Sequence, residues 1–244
     1  MQNINDKEYR IVRISKKNGL FRNIFIPSVS YSEQLDLLLP KLYEILRKTE
    51  KNRCNFAFEK NRNCALMAYN HVGYKFSLSL DIEDFFDSIT EKHLIEYVPH
   101  SILNQCLIDG APRQGLKTSP VLSNIAFAPV DDSIIEGLAD IDCIYTRYAD
   151  DLIFSFNDEI YFDLIFDIVY DIINRYGFKI NRNKINKQAT TNGRRIITGI
   201  GVDDFGIHPT RKTKKKLRAA LHENNKLSYL GLKEWSKCKL PKSI

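Results

Sequence analysis

The 244-residue chain has no run of about 20 uncharged apolar residues, the length a membrane-spanning helix needs, and its start, MQNINDKEYR, lacks the apolar core of a signal peptide. A soluble, cytoplasmic protein with no membrane partner is expected. Cysteine is scarce and scattered. Cys54, Cys64, Cys106, Cys143 and Cys238 form no C-x-x-C pair, which excludes the usual zinc and dithiol redox patterns and predicts reduced thiols. Eight prolines, eleven glycines, no internal repeat and no Gly/Ser/Pro linker exclude collagen-like and low-complexity chains. They also predict one continuous fold with sub-regions rather than a clean domain boundary. What is present is 43% hydrophobic and 27% charged residues, a composition able to bury a sizeable core.

The net charge of +6 hides an asymmetry. From Thr210 to Ile244 there are 11 Lys and Arg against 2 Asp and Glu, a local charge of +9, leaving 25 basic against 28 acidic residues, or −3, for residues 1–209. A concentrated positive segment is the electrostatic footprint of phosphate-backbone binding, although a solvated helix face has the same composition. PTRKTKKKLRAALHENNKL reads as a helix after Pro209 with Leu217, Ala220 and Leu221 inward. Arg211, Lys212, Lys214, Lys215, Lys216 and Arg218 then face outward as nucleic-acid-binding candidates.

Upstream, YRIVRISKKNGLFRNIFIPS alternates apolar and polar residues on both sides of Lys17-Asn18-Gly19 and reads as a β-hairpin with basic residues near its tip. Apolar residues at helical spacing predict helices over residues 31–49 and from about Glu159 to Tyr176, the second with Asp163, Asp167 and Asp171 as a solvent face. A further helix is expected near Ser119-Pro120, with Ser119 as its cap and Pro120 in the first turn.

Two strand-like segments carry carboxylates in unusual places. In KFSLSLDIEDFF the period-2 rule puts Phe76, Leu78, Leu80 and Ile82 on one face and Ser77, Ser79 and Asp81 on the other. In CIYTRYADDLIFSF two β-branched and aromatic runs flank Ala149-Asp150-Asp151, as a hairpin with its turn at the acidic pair would. Adjacent carboxylates at a tight turn repel unless a cation lies between them. If Asp81 and the Asp150-Asp151 hairpin converge on neighbouring strands, they form an all-oxygen site suited to two Mg²⁺ ions, with Mn²⁺ as an alternative. Such a pair can activate a 3′-hydroxyl and stabilise a leaving pyrophosphate. Asp is also an ordinary residue at strand ends and turns, so YADD alone decides nothing.

The order of the segments decides more. SLDIEDFFDSI, RQGLKTSPVLSN and YADD resemble, in order and approximate spacing, the first catalytic motif, the Q-G-x-x-x-S-P-x-L-x-N motif and the Y-x-D-D box of reverse transcriptases. From about Tyr9 to the end the chain resembles the bacterial retron-type group. Ile197-Thr198-Gly199 is similar to that group's Val-Thr-Gly signature, and MAYNH at Met67–His71 to its Asn-Ala-x-x-His element, with Met67 in place of Asn.

The resemblance implies an α+β right-hand polymerase fold with an antiparallel palm sheet. Residues 1–75 would form the fingers and 76–90 the palm's first catalytic strand. Residues 91–142 would form fingers and palm helices including the Gln-Gly motif, 143–209 the palm with the YADD hairpin, and 210–244 a short basic thumb. It implies catalytic roles for Asp81, Asp150, Asp151 and Lys184, the last protonating pyrophosphate. Arg22 and Lys17 would meet the triphosphate, Gln114 and Gly115 would adjoin the nucleotide, and Phe86 would exclude a 2′-hydroxyl. His71 is read as structural. The implied function is RNA-directed DNA synthesis from dNTPs on a dedicated non-coding RNA that serves as template and primer, in antiphage defence. An accessory protein, an effector or the RNA itself would complete the short thumb. Two other readings remain open: a non-catalytic RNA-binding module that keeps the fold, and a protein-interaction component of a defence complex.

Overall fold

The computed structural model describes residues 8–15, 19 and 21–241. In chain order the elements are β1 (Tyr9–Ser15), β2 (Phe21–Pro27), α1 (Val29–Thr49), α2 (Cys64–Tyr69), β3 (Phe76–Asp81), α3 (Phe85–Ser88), α4 (His100–Cys106), α5 (Ser119–Gly137), β4 (Cys143–Tyr148), β5 (Asp151–Phe156), α6 (Tyr161–Arg175), β6 (Asn186–Ala189), β7 (Arg195–Ile197), β8 (Ile200–Val202), β9 (Ile207–Pro209), α7 (Arg211–His222) and α8 (Lys226–Trp235). The class is α+β, with every strand pair antiparallel. The chain divides into two compact units, Met1–Arg53 with Glu83–Ser133 and Tyr176–Phe178, and Cys54–Ile82 with Ile134–Arg175 and Lys179–Ile244. The chain crosses between them repeatedly, so no linker marks the boundary in the sequence.

In the first unit β1 and β2 pair from Tyr9↔Pro27 to Ser15↔Phe21. Lys17 lies outside the described residues. The alternation foreseen in β1 does not bury a face: all of β1 is exposed, and only Phe25 of β2 is buried. Helix α1 starts where Ser28 accepts from the Tyr31 N–H at 3.2 Å and ends with Arg47 and Lys48 in its last turn, where they complement the carbonyl end. It buries Tyr31, Leu35, Leu42 and Leu46 on one stripe. Ser119 does not cap α5 as expected. Its hydroxyl donates to the Arg113 carbonyl at 2.7 Å, tying the loop back onto the helix start instead.

The second unit is built on a four-stranded sheet of order β4-β5-β3-β6 and a small three-stranded sheet, β7-β8-β9. Met67 and Ile197, the two departures from the retron signatures, are both fully buried in one core cluster with Phe56, Ile153, Ile200 and Val202, so both act there as packing residues. Helix α6 buries Phe162, Ile165, Val169, Ile172 and Ile173 and exposes Asp163, Asp167 and Asp171, as its periodicity predicts. In α7 the inward stripe is Thr213, Leu217 and Ala220, not Leu221, which is 59% exposed. At 100° per residue Leu221 falls on the flank of that stripe. Among the described residues no helix is long and apolar enough to cross a membrane.

The serine face of β3 is covered rather than solvated: Ser77 is fully buried and Asp81 is 6% exposed. Beside it, on β5, Ser155 joins a buried polar network. The His71 ring contacts the Ser155 hydroxyl at 2.9 Å and the Thr146 hydroxyl at 2.6 Å, and Arg195 donates to Ser155 at 3.0 Å. Burial, with the Arg195 charge, pulls the His71 pKa from 6.5 down to about 3. The unfolded chain therefore binds a proton that the folded chain refuses between these values. The neutral-His71 contribution to stability is complete above about pH 6.5 and declines as pH falls toward about 3, by roughly 1.4 kcal/mol per unit. Urea unfolding over this range measures the slope, and His71→Gln should flatten it by about one proton.

Candidate active site

The acidic site belongs to the second unit. Strands β3 and β5 pair from Phe76↔Phe156 to Asp81↔Asp151, so the sheet register itself sets Asp81 opposite Asp151. Strands β4 and β5 pair up to Tyr148↔Asp151, leaving Ala149-Asp150 as a two-residue hairpin turn with Ala149 at φ +55°. The turn thus falls one residue earlier than the acidic pair, and Asp151 opens β5. One oxygen from each of Asp81, Asp150 and Asp151 lies within 4.8 Å of the others. Backbone bonds fix the cluster from both sides: the Ile82 N–H donates to the Asp150 carbonyl at 3.0 Å, and the Asn181 N–H to the Asp81 carbonyl at 2.8 Å.

A buried cation lies behind the turn. Arg147, 1% exposed, donates from Nη1 to the Ala149 carbonyl at 3.2 Å, and its backbone pairs with Cys54 and Phe56 at 2.8 Å each. Nothing in the strand pattern of CIYTRY singles Arg147 out. The signal available was an Arg at an inward position of a strand directly before an acidic turn.

Lys184, at the end of a 3₁₀ turn from Arg182 to Lys184, donates from Nζ to both Asp81 oxygens at 2.8 and 2.7 Å. Burial lowers its pKa, but the Asp81 hydrogen bonds and the charges of all three aspartates outweigh that and hold it above the usual lysine value. Asp151 moves the other way. Burial first, then repulsion from Asp150 and Asp81, pushes it up to about 6 despite the opposing charge of Lys184. The three converging carboxylates raise the Asp151 pKa against one another, and their hard oxygens match a divalent cation. A cleft of about 430 Å³ opens beside them, bordered by Asp151, Lys184, Tyr148, Ser79, Thr198 and Trp235.

Residues 14–233 match the model of the reverse transcriptase (RNA-dependent DNA polymerase) family. The chain belongs to this reverse transcriptase family. It is 30% identical over 228 residues to the retron Ec86 reverse transcriptase of Escherichia coli, spanning 89% of this chain and 70% of that protein. It is 29% identical over 238 residues to the E. coli retron Ec73 enzyme, spanning 85% and 73%. With the retron Mx65 reverse transcriptase of Myxococcus xanthus the identity is 28% over 246 residues, spanning 89% and 56%. The fold matches that of telomerase from Candida albicans, solved with a fragment of telomeric RNA, at a TM-score of 0.60 and 14% identity over 85% of this chain and 46% of that one. It also matches a foamy viral protease-reverse transcriptase, solved with double-stranded DNA, at a TM-score of 0.59 and 17% identity over 96% and 37%. The chain thus spans less than half of these two solved chains, and the likeness to them is one of fold. As a family member this reverse transcriptase is an RNA-directed DNA polymerase that depends on a divalent metal, and the three aspartates fit that metal by their donor chemistry.

Arg22, Phe86, Gln114 and Gly115 lie in the first unit. Arg22 is exposed on β2. Phe85 takes the core position, 4% exposed and edge-on to Phe127 at 5.5 Å, while its neighbour Phe86 is half-buried. The Gln114 carbonyl accepts from the Phe25 N–H at 2.8 Å, and the Gln114 side-chain Oε1 is buried with no partner among the described residues. Gly115, expected to let backbone approach a nucleotide, has a different reason to be glycine. At φ +107° a Cβ there would collide with the Phe25 carbonyl oxygen of β2. Arg211, Lys212, Lys214, Lys215, Lys216 and Arg218 are all exposed on α7, and none makes an ion pair among the described residues.

Proposed function

We propose that this reverse transcriptase copies a structured non-coding RNA into DNA, using that RNA as template and primer, in antiphage defence. The observation that supports the chemistry best is the register Asp81↔Asp151, which gathers three carboxylates from two strands and one turn. Asp81, Asp150 and Asp151 would hold two Mg²⁺ ions. Bound there, such ions supply Lewis acidity to the 3′-hydroxyl and to the departing pyrophosphate. The chain's own part is to fix the carboxylates before substrate arrives, through the sheet register and the Arg147 bond to the turn. Lys184 carries its proton at Nζ within reach of the cluster and would donate it to a pyrophosphate oxygen, a role that contributes about 10²- to 10⁴-fold when positioned.

The Arg22 guanidinium, exposed on β2, suits a triphosphate, and the unpartnered Gln114 oxygen suits a polar nucleotide group. The half-buried Phe86 ring suits a gate against the ribose 2′-hydroxyl. The sheet β4-β5-β3-β6 would be the palm, the β1-β2 hairpin part of the fingers, and α7 with α8 the thumb. The telomeric RNA and duplex DNA bound by the structural neighbours support a nucleic acid as the substrate of this site.

Primer extension by the RNA-loaded protein with Mg²⁺ and dNTPs tests the reading, with sequencing of the co-purified nucleic acid to identify the template. RNA-templated DNA is the expected product. Absence of extension by protein that still holds its RNA would leave the RNA-binding module instead. Two variants probe single residues. Phe86→Ala should raise ribonucleotide incorporation at least about tenfold, the effect of removing a steric clash with one hydroxyl; unchanged sugar selection would eliminate the gate. Lys184→Gln removes the ammonium that occupies both Asp81 oxygens, so divalent-metal affinity, followed by Mn²⁺ electron paramagnetic resonance, should rise while turnover falls.

A further inference from the structure

Helix α3 is a single turn, Phe85–Ser88, entered from Asp84 at a left-handed φ of +43°. One turn of helix has no stability of its own, so its orientation is set by what holds its side chains. Phe85 is held in the core, edge-on to Phe127. Asp87 is held by Arg113, which donates from Nη1 to the Asp87 Oδ1 at 2.7 Å. Arg113 is itself fixed. Its side chain is only 19% exposed, Nε donates to the Ile108 carbonyl at 3.0 Å, Nη2 lies 3.5 Å from the Asp109 carbonyl, and the guanidinium carbon stands 5.6 Å from the centre of the Phe25 ring. Its backbone is tied as well: the Arg113 carbonyl accepts from the Ser119 hydroxyl at 2.7 Å and from the Leu116 N–H at 3.3 Å. All of these residues belong to the first unit. Phe86 comes between the two tethered residues and leaves the helix about 100° from each.

We propose that Arg113 is a positioning residue for sugar selection, holding the Phe86 ring, through Asp87, where it meets the 2′ carbon of the incoming nucleotide. The inference deepens the polymerase reading above and rests on it, with Phe86 as the gate. An exposed ion pair by itself is a weak tether, and the Asp87 side chain is 57% exposed. What makes this tether firm is the planar guanidinium. With each nitrogen facing a different acceptor and one face toward an aromatic ring, it cannot swing to follow the carboxylate, so α3 has to come to it. A gate needs such anchoring, because it rejects one hydroxyl by contact and a displacement of about 1 Å is enough to open that contact. A rival account has Arg113 brace only the tight turn closed by the Ile108↔Ala111 bridge. That explains the bonds from Nε and Nη2 but not the shortest one, from Nη1 to a different element.

Sugar selection, the ratio of kcat/KM for a dNTP to that for the matching rNTP, is the deciding measurement. Arg113→Ala should lower this ratio about fivefold, less than Phe86→Ala, which removes the ring outright. Asp87→Ala should lower it by a similar factor, and Arg113→Lys, which keeps the charge but loses the fork, should fall between Arg113→Ala and the wild type. In a Phe86→Ala background neither Arg113→Ala nor Asp87→Ala should lower it further, since a residue that acts through the ring has no effect once the ring is gone. A second measurement needs no turnover: with 4-fluorophenylalanine at position 86, the fluorine NMR resonance should shift or broaden in Asp87→Ala. Unchanged selection in Arg113→Ala and Asp87→Ala, a loss that adds in full to that of Phe86→Ala, or an unmoved fluorine resonance overturns the proposal while the polymerase reading stands. Wild-type protein that makes no DNA, with a fluorine resonance that still moves in Asp87→Ala, would overturn the polymerase reading and leave the tether in place. Should Arg113→Ala unfold, the exposed Asp87→Ala decides.

Discussion

Asp151→Asn should reduce DNA synthesis on an RNA template by about 10³-fold or more and, in the same protein, stabilise the metal-free fold. The first effect follows from the loss of one of three carboxylates that gather within 4.8 Å, since Lewis-acid stabilisation of a reacting phosphate is worth several kcal/mol and each 1.4 kcal/mol is tenfold in rate. The second follows from the raised pKa. Burial and the charges of Asp150 and Asp81 move Asp151 from 3.8 to about 6, so between those values the folded chain keeps a proton that the unfolded chain releases. Stability of the metal-free protein therefore falls as pH rises through this window, and ionised Asp151 costs free energy at neutral pH. Asparagine removes that charge. The gain should be about 1 kcal/mol, below the full linkage value because Asp151 is only half-buried. Primer extension and thermal melting in chelator, at pH 5 and at pH 7, read the two effects. A variant that loses activity and also melts earlier would show Asp151 to be a structural support and not a strained ligand.

Gly115→Ala should be among the most damaging substitutions of one small residue for another. A methyl group there would strike the backbone oxygen of Phe25, which cannot rotate away because the Phe25 N–H is held by the Gln114 carbonyl at 2.8 Å. The φ of +107° adds strain of its own for any residue with a Cβ. Backbone strain and overpacking together cost about 3 kcal/mol, which lowers the melting temperature by roughly 10 °C in a chain of this size. Melting temperature is the deciding measurement. If Gly115 served only to admit a nucleotide, Gly115→Ala would melt like the wild type and lose only affinity for dNTP.

The difference between these glycine readings shows where a sequence stops being informative. RQGLKTSPVLSN marks the segment as functional, but the β2 carbonyl that fills the glycine's empty side comes from about 90 residues earlier in the chain, a distance no local pattern spans. The same holds for Leu221, assigned inward by period and exposed in the fold. A stripe can be read from spacing, but its centre is set by what packs against it. The β1–β2 hairpin forms as its alternation predicts, while the burial of Phe25 depends on the distant Gln114-Gly115 segment that meets it.

From the sequence alone came the β1–β2 hairpin, helices α1, α5 and α6, the strands that carry Asp81 and the Asp150-Asp151 hairpin, the solvent face of α6 and the basic C-terminal helix. Each is a property of residues within one helix turn or one strand, where periodicity and turn chemistry act. Only the tertiary structure decided that Asp81 stands opposite Asp151, that Arg147 is buried behind their turn, and that Lys184 sits on both Asp81 oxygens. Those relations depend on sheet register and on long-range packing, which are fixed by the free energy of the whole core and leave no mark on neighbouring residues.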